Sequence, residues 1–375
     1  MMKLAFCLFN YFPYGGLQRD FLRIARICQS RGHEIHVFTM HWEGKQEPGF
    51  HVHAIETRGL QNHSRGHFFV QEVQKTVKKQ VFQLVIGFNK MPHLDIYYAA
   101  DICYQARIRK EKSLFYRLLP RYRRWVSMES AVFDRGNKTH ILLISPQQQA
   151  EFIQYYQTET NRFHLLPPGI SRDYIATRNA EAIRNQVRSA YGIHANDKIL
   201  LLIGSSFKTK GLDRAINALA ALSTHQHHNT HLFVVGQDEA KPYATMAKRQ
   251  NVLNRVYFLG AQANVIPFLL AADLLVHPAY RENTGTVLLE ALASGLPILT
   301  LDHCGYAHHV QQAKGGKVLA APFSQAVFNQ TLNDMLSHDR LSIYRNNGIC
   351  YAKEQDIYSL PEKAADVIES IGNHQ

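Results

Sequence analysis

The stretch LAFCLFNYFPYGGLQRDFLRIARICQSRGHEIHVFT, residues 4–39, decides the fold. Its first six residues are an apolar run that predicts a buried strand. Residues 17–30 follow with apolar side chains at helical spacing, and Gly32 ends that predicted helix. Residues 34–39 predict a second strand, so the chain opens with the strand, helix and strand of a parallel sheet.

The same alternation continues along most of the chain. Further strands are predicted at 82–87, 140–145, 198–204, 231–236, 256–260, 274–278 and 297–301, with helices near 212–222, 239–250, 265–272 and 285–294. Pro167, Pro168 and Gly169 interrupt the pattern near the midpoint, after which it begins again. We therefore expect two doubly wound α/β domains facing one another across a cleft, with ligands at the carboxyl ends of the strands.

Length and composition bound the class of protein. The 375 residues are enough for two domains, and 46% apolar with 19% charged residues exclude a disordered chain. The net charge of +12 favours an anionic partner, which could be nucleic acid, nucleotide phosphates or a lipid surface. Five cysteines without a C-x-x-C pair predict neither a disulfide framework nor a zinc site. No apolar run reaches the length of a membrane span, so we expect a cytoplasmic protein, attached at most to a membrane surface.

Two loops that follow predicted strands are candidates for binding an anion. Gly15 and Gly16 precede the first helix, where backbone amides approach a ligand closely, although Gly-Gly is also typical of an ordinary tight turn. Lys208 and Lys210 follow the strand at 198–204, and there they would neutralise a diphosphate unless they are solvated surface lysines. The first loop is not the G-x-G-x-x-G fingerprint, which argues against a nicotinamide enzyme, and the second lacks the full Walker pattern.

Two glutamates, Glu282 and Glu290, follow the predicted strand at 274–278. If the helix starts near Thr284, Glu290 lies about 9 Å along its axis, which suits two carboxylates that bind different parts of one extended ligand. Glu290 also follows the apolar run 287–289, an unfavourable position for an acid that is neither hydrogen-bonded nor part of a site. The alternative is an acid on an exposed helix face, which fits Glu282 better than Glu290.

One segment, residues 104–125, is both basic and aromatic. Its cations, set against the single acid Glu111, are Arg107, Arg109, Lys110, Lys112, Arg117, Arg121, Arg123 and Arg124. Its apolar residues recur at helical spacing: Leu114, Phe115, Leu118, Leu119, Tyr122 and Trp125. This pattern is typical of a membrane-surface helix, and Pro120 predicts a break into two short helices. A helix packed on its own domain and a nucleic-acid patch are the alternatives.

Histidine is abundant, with 21 residues. Only His227 with His228 and His308 with His309 are neighbours, and adjacent residues on a helix do not converge on one metal ion. We therefore expect no bound metal.

Taken together, the Gly15-Gly16 loop, the Lys208/Lys210 loop and Glu282-x7-Glu290 resemble the retaining GT-B glycosyltransferases, the family that includes sucrose, glycogen and mannosyl transferases. Segments along nearly the whole chain resemble lipopolysaccharide core glucosyltransferases: 7–21, 87–92, 99–104, 166–170, 233–238 and 358–366. The resemblance implies an α/β GT-B fold of two Rossmann-like domains. It also implies transfer of glucose from UDP-glucose to an inner-core heptose, without a metal and without a nucleic-acid partner.

The resemblance also implies roles for individual residues. Glu290 would accept hydrogen bonds from the ribose hydroxyls, and Glu282 would contact the transferred sugar. Lys210, with Lys208 as a second candidate, would hold the diphosphate. Gly15 and Gly16 would bring backbone amides to the donor phosphate.

Two aspartates and one arginine complete the implied set. Asp20 and Asp101 lie in matching segments near the expected reacting carbon, Asp101 where many relatives carry a histidine. Ser205 follows Gly204 where many relatives have an arginine, so phosphate neutralisation would fall on Lys208, Lys210 or Arg172.

By the same resemblance the chain has three parts. Residues 1–168 would form the acceptor-side domain, with a membrane-interacting segment near 104–133. Residues 169–350 would bind the nucleotide sugar, and residues 351–375 would form a helix that crosses back to the first domain. The protein would lie on the inner face of the inner membrane, held by the cations of residues 104–125.

The implied mechanism is a front-face displacement in which the departing UDP phosphate helps to take the proton of the acceptor. Three alternatives to this function stay open at this point. They are a UDP-sugar epimerase on the same fold, transfer of another sugar such as galactose, and a non-enzymatic binder of anionic surfaces or nucleic acid.

Overall fold

The computed structural model describes residues 1–374 apart from 14, 59–60, 176–178, 224–228 and 338–339, and it leaves out the side chains of His63 and Glu111. The chain forms two compact units, Met1–Gly169 with Ser359–Gln375 and Ile170–Tyr358. The sequence placed the later boundary at 350/351. In the structure Ile357 and Tyr358 are buried in the core of the second unit, so that unit extends up to the C-terminal helix.

The first unit is built on a parallel sheet. Its strands are β1 (Lys3–Cys7), β2 (Asn10–Tyr11), β3 (Glu34–Thr39), β4 (His41–Trp42), β5 (Phe50–Ala54), β6 (Leu84–Gly87), β7 (Ile96–Ala99), β8 (His140–Leu143) and β9 (Phe163–Leu165). Its helices are α1 (Gly16–Ser30), α2 (Asn62–Lys79), α3 (Tyr104–Glu111), α4 (Pro120–Phe133), α5 (Pro146–Tyr156) and the C-terminal helix (Leu360–Gly372), with 3-10 turns at Leu114–Leu118 and Thr160–Arg162.

Seven of these strands form one sheet in the order β5-β3-β1-β6-β7-β8-β9, and β2 pairs separately with β4. The central strands are buried on both faces, which explains their nearly continuous apolar sequences. The C-terminal helix packs in this unit beside α1, where Arg31 forms ion pairs with Asp366 at 2.9 Å and Glu369 at 2.8 Å.

The second unit has a sheet of its own. Its strands are β10 (Lys198–Ile203), β11 (Thr230–Val235), β12 (Val256–Phe258), β13 (Leu274–His277), β14 (Ile298–Leu301) and β15 (Gly316–Leu319). Its helices are α6 (Ala180–Ala190), α7 (Phe207–Lys210), α8 (Leu212–Ala220), α9 (Lys241–Arg249), α10 (Ile266–Ala271), α11 (Thr286–Ala293), α12 (Ala307–Ala313), α13 (Gln325–Ser337) and α14 (Leu341–Glu354), with 3-10 turns at Arg172–Tyr174 and Leu253–Arg255.

The six strands of the second unit are parallel in the order β12-β11-β10-β13-β14-β15. This is the doubly wound Rossmann order, in which the connections diverge between the first and fourth strands, here β10 and β13. The first unit shows the same divergence between β1 and β6. The prediction of two doubly wound parallel sheets is therefore confirmed.

Candidate active site

The loops after β10 and β13 meet at the topological switch point of the second unit. The two strands are direct neighbours, with Leu200 paired to Leu274 and Leu201 paired to Leu275. Their carboxyl ends lead into residues 204–211 and 278–285. Doubly wound sheets bind ligands in this position. These loops carry Lys210 and Glu282, two of the residues that the sequence singled out.

Lys210, Glu282 and His277 form a charged cluster at this edge of the sheet. The Lys210 ammonium contacts Oε2 of Glu282, and Nε2 of His277 lies 3.1 Å from the same oxygen. Burial opposes ionisation of Glu282, but His277 and Lys210 outweigh it and lower the pKa of this carboxyl to about 2. Burial also opposes protonation of His277, yet Cys304 and Glu282 raise its pKa to about 9. At neutral pH the cluster contains two cations and one anion.

The loop that carries Glu282 is held by α8. Arg214 donates to the carbonyl oxygen of Pro278 at 3.0 Å, and its guanidinium lies 3.5 Å from the ring centroid of Tyr280. The hydroxyl of Tyr280 donates to Oδ2 of Asp213 at 2.7 Å. These contacts fix the backbone before Glu282, so the carboxylate is positioned before a ligand arrives.

The loop that carries Lys210 depends on a glycine and a helix cap. Gly204 follows β10 and has φ +147°, and a Cβ there would lie 2.8 Å from Cε of Lys210. The lysine stem therefore crosses directly over this glycine. Oδ2 of Asp238 accepts a hydrogen bond from the backbone N–H of Phe207 at 2.7 Å, which fixes the start of the short helix α7.

The other predicted donor-binding residues of the second unit have different surroundings. Lys208 lies on α7 with Lys210, but its side chain is exposed. Glu290 is 3% exposed on α11, a helix buried at every position from 287 to 293. Arg172 stacks on the ring of Tyr358, with 4.4 Å between the guanidinium carbon and the ring centroid. Of the five residues, the structure places Lys210 and Glu282 in direct contact.

In the first unit, the glycine loop lies after β1 and β2. Gly16 is the first residue of α1, and Gly15 precedes it in extended conformation. A Cβ on Gly15 would lie 1.9 Å from Oε1 of Gln18, whereas Gly16 has open space around its Cα. A side chain at position 15 would therefore require the side chains of Gln18 and Phe12 to move, while position 16 leaves room for an approaching group.

The two predicted aspartates lie at the carboxyl edge of the first sheet. The buried Tyr98 of β7 donates its hydroxyl hydrogen bond to Oδ2 of Asp20 on α1 at 2.7 Å. Asp101 is exposed in the bend that follows β7. Tyr98 thus links Asp20 to the strand that leads to Asp101.

The sequence analysis missed a buried carboxylate, that of Glu129, which holds the backbone that follows Asp101. Glu129 is fully buried and accepts hydrogen bonds from the backbone N–H groups of Tyr104 at 2.8 Å and Gln105 at 3.0 Å. Lys90 pairs with it at 2.5 Å and also donates to the carbonyl oxygen of Ile102 at 2.9 Å. These bonds hold the start of α3 and the backbone that follows Asp101. Since the partners are far apart in sequence, no spacing motif reveals them.

His277 was missed for a related reason. It is the last residue of β13, at the edge where ligands bind, but a single histidine in an apolar strand gives no sign of its partner. Its contact with Glu282 depends on the loop 278–281, which returns the carboxylate to the end of the strand. Cys304 adds to this environment through a parallel bridge between its backbone and that of Glu282.

The basic aromatic segment is divided at two places. α3 ends at Glu111, a 3-10 turn covers Leu114–Leu118, and α4 starts at Pro120. Leu119 has φ −67° and ψ 140°, the extended conformation expected before a proline, so the predicted break is confirmed. The turn exposes large apolar side chains, among them Leu114 at 71% and Phe115 at 80%.

Among the residues that the structure describes, two of the eight cations in this segment have polar partners outside it. Lys110 pairs with Glu151 at 2.8 Å, and Arg124 donates to Oγ of Ser64 at 3.1 Å. Within the described part of the chain, no helix combines the length and the apolar character required to cross a bilayer.

The histidine pairs that the sequence considered have different outcomes. His227 and His228 lie outside the described residues. The rings of His308 and His309 lie 4.1 Å apart on α12, and burial together with His308 lowers the pKa of His309 to about 4.

Two doubly wound parallel sheets and a lysine–glutamate cluster at a switch point agree with the glycosyltransferase of the GT-B class that the sequence motifs resemble. Residues 14–174 match the model of Glycosyltransferase Family 4, and residues 183–355 match that of Glycosyl transferases group 1. The chain is 44% identical over 368 residues to lipopolysaccharide glucosyltransferase WaaG of Escherichia coli K12, covering 98% of each chain. It therefore belongs to the family of glycosyltransferases that contains WaaG.

Solved structures agree with this assignment. The crystal structure of WaaG superposes with a TM-score of 0.94 at 44% identity, over 97% of this chain and 99% of that one. Sucrose-phosphate synthase of Thermosynechococcus elongatus gives a TM-score of 0.81 at 15% identity, over 100% of both chains, which shows the shared fold alone.

Proposed function

We propose that this glycosyltransferase moves glucose from UDP-glucose to a heptose of the lipopolysaccharide core, with retention of configuration at the anomeric carbon. The observation that carries the proposal is the Lys210–Glu282–His277 cluster at the switch point. It occurs in a chain that is 44% identical, over 98% of its length, to a lipopolysaccharide glucosyltransferase. The name of that relative supports glucose as the transferred sugar and lipopolysaccharide as the acceptor.

In this proposal the second unit binds the donor. Lys210 holds the diphosphate, and Lys208 approaches it from the exposed side. Glu282 has its Oε2 on Lys210 and His277, and its Oε1 accepts hydrogen bonds from the hydroxyls of the sugar. Because the pKa of Glu282 is lowered to about 2, the carboxylate accepts hydrogen bonds and does not donate a proton. Glu290 accepts hydrogen bonds from the ribose.

The first unit supplies the remaining contacts of the proposal. The backbone amides of Gly15 and Gly16 approach a donor phosphate, helped by the dipole of α1. Asp20 and Asp101 lie near the reacting carbon, and Tyr98 holds Asp20 in place. In the second unit, Arg172 is a further candidate cation for the phosphates.

The transfer itself then needs no enzymic nucleophile. The acceptor hydroxyl oxygen forms its bond to the anomeric carbon on the face from which the diphosphate leaves, as the bond from that carbon to the phosphate oxygen breaks. The acceptor proton passes to the departing phosphate, and UDP is released. The protein contributes positioning and the positive charges of Lys210 and His277, so side chains balance the diphosphate in this scheme rather than a metal ion.

We also propose that the protein attaches peripherally to the inner face of the inner membrane through residues 104–133. Leu114, Phe115 and Leu118 are exposed on one short turn, and the exposed Lys112 and Arg121 lie on either side of it in the sequence. Apolar side chains that enter the acyl boundary and cations that attract anionic headgroups together give stable attachment.

The test is a transfer assay with UDP-glucose and a heptose-terminated lipopolysaccharide core, with the anomeric configuration of the product read by NMR. Lys210→Met should lower kcat/KM by about 100-fold or more, since one donor aimed at a developing charge is worth about that much. Lys248→Met, which removes an exposed lysine of α9 in the same unit, should leave kcat/KM unchanged.

Each other outcome would contradict part of the proposal. Transfer from UDP-galactose alone would show that the donor is wrong, and an inverted product would show that the mechanism is wrong. Isomerised UDP-sugar without an acceptor would make the protein an epimerase. Binding of anionic surfaces with no sugar transfer would exclude an enzyme of this kind.

A further inference from the structure

A second cluster of ionisable side chains lies on one face of the first sheet, at the edge formed by β3 and β5. Glu34 and His36 are two residues apart on β3, so their side chains share a face of the sheet. His36 is paired directly with His51 of β5, and Phe38 is paired with His53. The parallel register therefore brings three histidines and a glutamate onto one surface.

The side-chain atoms of three of these residues converge. Nε2 of His36 lies 2.7 Å from Oε1 of Glu34, and Nε2 of His51 lies 3.9 Å from the same oxygen. One donor atom from each of the three residues lies within 4.8 Å of the other two. The rings of His36 and His51 are stacked with 4.7 Å between centroids and 24° between their planes.

These separations are close to those of a tetrahedral metal site. With bonds of about 2.0–2.1 Å to nitrogen and oxygen, two ligands of a tetrahedral zinc ion lie about 3.3 Å apart. The 2.7 Å and 3.9 Å separations lie on either side of that value, so each would have to change by about 0.6 Å on binding. The side chain of His51 is 57% exposed, which leaves the fourth position open to water.

His53 supplies an outer partner for the cluster. Its Nε2 lies 2.9 Å from Nδ1 of His36, and its ring stacks on that of Phe38 with 4.7 Å between centroids. When Nε2 of His36 gives its lone pair to a metal ion, Nδ1 carries the proton and donates it to His53. A hydrogen-bond partner on the ring nitrogen that does not bind the metal fixes the tautomer and the ring orientation of a ligating histidine.

We propose that Glu34, His36 and His51 bind a divalent transition-metal ion of the zinc type. Two imidazoles and one carboxylate suit zinc, nickel or copper, whereas magnesium and calcium prefer sites made of oxygen alone. Lys3 lies 3.9 Å from Glu34, and an arriving cation replaces that ammonium as the partner of the carboxylate.

The position of the cluster gives the ion a structural role. Glu34 begins β3 and His51 lies near the start of β5, at the amino ends of the strands. Asp101 follows the carboxyl end of β7, which is the opposite edge of the same sheet. The ion thus ties the edge strand β5 to β3, away from the proposed transfer chemistry. The expectation of no metal considered only adjacent histidines, and this cluster forms across two strands.

The proposal is tested on the full-length protein after treatment with a chelator. Zn²⁺ is titrated in competition with a chromophoric chelator, and Co²⁺ absorption reports the coordination geometry. We expect His51→Ala to weaken zinc binding at this site at least tenfold, and His53→Ala to weaken it about tenfold through the outer partner. His67→Ala, which removes an exposed histidine of α2, is the matched control and should bind as the unmodified protein does.

Because His51 is half exposed, its replacement does not disturb the core, and folding is verified by thermal unfolding in the presence of chelator. Added Zn²⁺ should raise the Tm of the unmodified protein and of His67→Ala, but not that of His51→Ala. Equal zinc affinity of His51→Ala and the unmodified protein would place the ion elsewhere. Absence of saturable binding at one equivalent would refute the site.

Discussion

Replacing His277 by glutamine should remove a buried cation from the Lys210–Glu282–His277 cluster. The pH-dependent contribution of this histidine to the stability of the protein should then be lost. The imidazole is fully buried, and its pKa rises from 6.5 to about 9 because Cys304 and Glu282 outweigh the effect of burial. At about 1.4 kcal/mol per pKa unit, this shift corresponds to about 3 kcal/mol of stability. A raised pKa means that this stability is fully present below pH 6.5 and is lost as the pH rises through 9.

The assay is urea unfolding of the unmodified protein and of His277→Gln at pH 6 and pH 9.5. The difference in unfolding free energy between the two proteins should shrink by about 3 kcal/mol at the higher pH. His309→Gln is the control, because the pKa of His309 is lowered to about 4 and this residue stays neutral across the range. A difference that does not change with pH for His277→Gln would show that the buried imidazole is not protonated, which would refute the reasoning.

The same substitution should lower kcat/KM about 10- to 100-fold at pH 7, because a hydrogen bond to a charged group contributes about 1.5–3 kcal/mol to positioning Glu282. His277 is a positioning residue. The difference in kcat/KM between His277→Gln and the unmodified protein should therefore become smaller as the pH passes 9, because the histidine of the unmodified protein then loses its proton. A constant loss at all pH values would indicate a packing defect instead.

Three further predictions concern the other parts of the molecule. Exchange of Arg121, Arg123 and Arg124 for glutamate should weaken binding to anionic vesicles more than 100-fold, because each basic residue near the surface contributes about 1 kcal/mol. UDP binding should be unchanged. Unaltered vesicle binding would show that the segment has a structural role only. Treatment with EDTA should leave the transfer rate unchanged, and a rate restored only by added metal would contradict the scheme. Glu129→Gln should destabilise the protein by about 3–5 kcal/mol in thermal unfolding because it leaves Lys90 buried without its anion, and a loss below about 1 kcal/mol would refute this.

The fold was largely predictable because parallel strands that are buried on both faces have nearly continuous apolar sequences. Glu34–Thr39 has the predicted bounds, and β10 and β13 end within one residue of theirs. The short strand β7, Ile96–Ala99, was missed although its residues are apolar or aromatic and buried. Two other strands were missed because they lack such runs. The sequence of Phe50–Ala54 is FHVHA, with histidines at alternate positions, and Gly316–Leu319 begins with a glycine and a lysine. Their strand conformation comes from pairing with β3 and β14, which is a tertiary effect.

The candidate site was predictable only where it follows a local pattern. Glu282 and Lys210 were found because each follows a strand, and the carboxyl ends of parallel strands share one edge. His277 and Glu129 contact partners that only the folded chain brings close to them. No sequence motif links either residue to those partners. Glu34, His36 and His51 show the same limit, since they meet only through the register of β3 with β5, and β5 was not predicted.

The role of His277 follows from the charges of the cluster. Lys210 and Glu282 alone cancel one another, and a neutral pair attracts the two negative charges of a UDP-sugar diphosphate only weakly. A proton on His277 leaves the cluster with one net positive charge. Deprotonation of His277 above pH 9 should therefore weaken UDP binding in the unmodified protein, while the already neutral His277→Gln cluster should bind UDP weakly at every pH. Calorimetric titration with UDP at pH 7 and pH 9.5 separates these cases, and equal affinity of the two proteins at pH 7 would show that the lysine acts without the histidine.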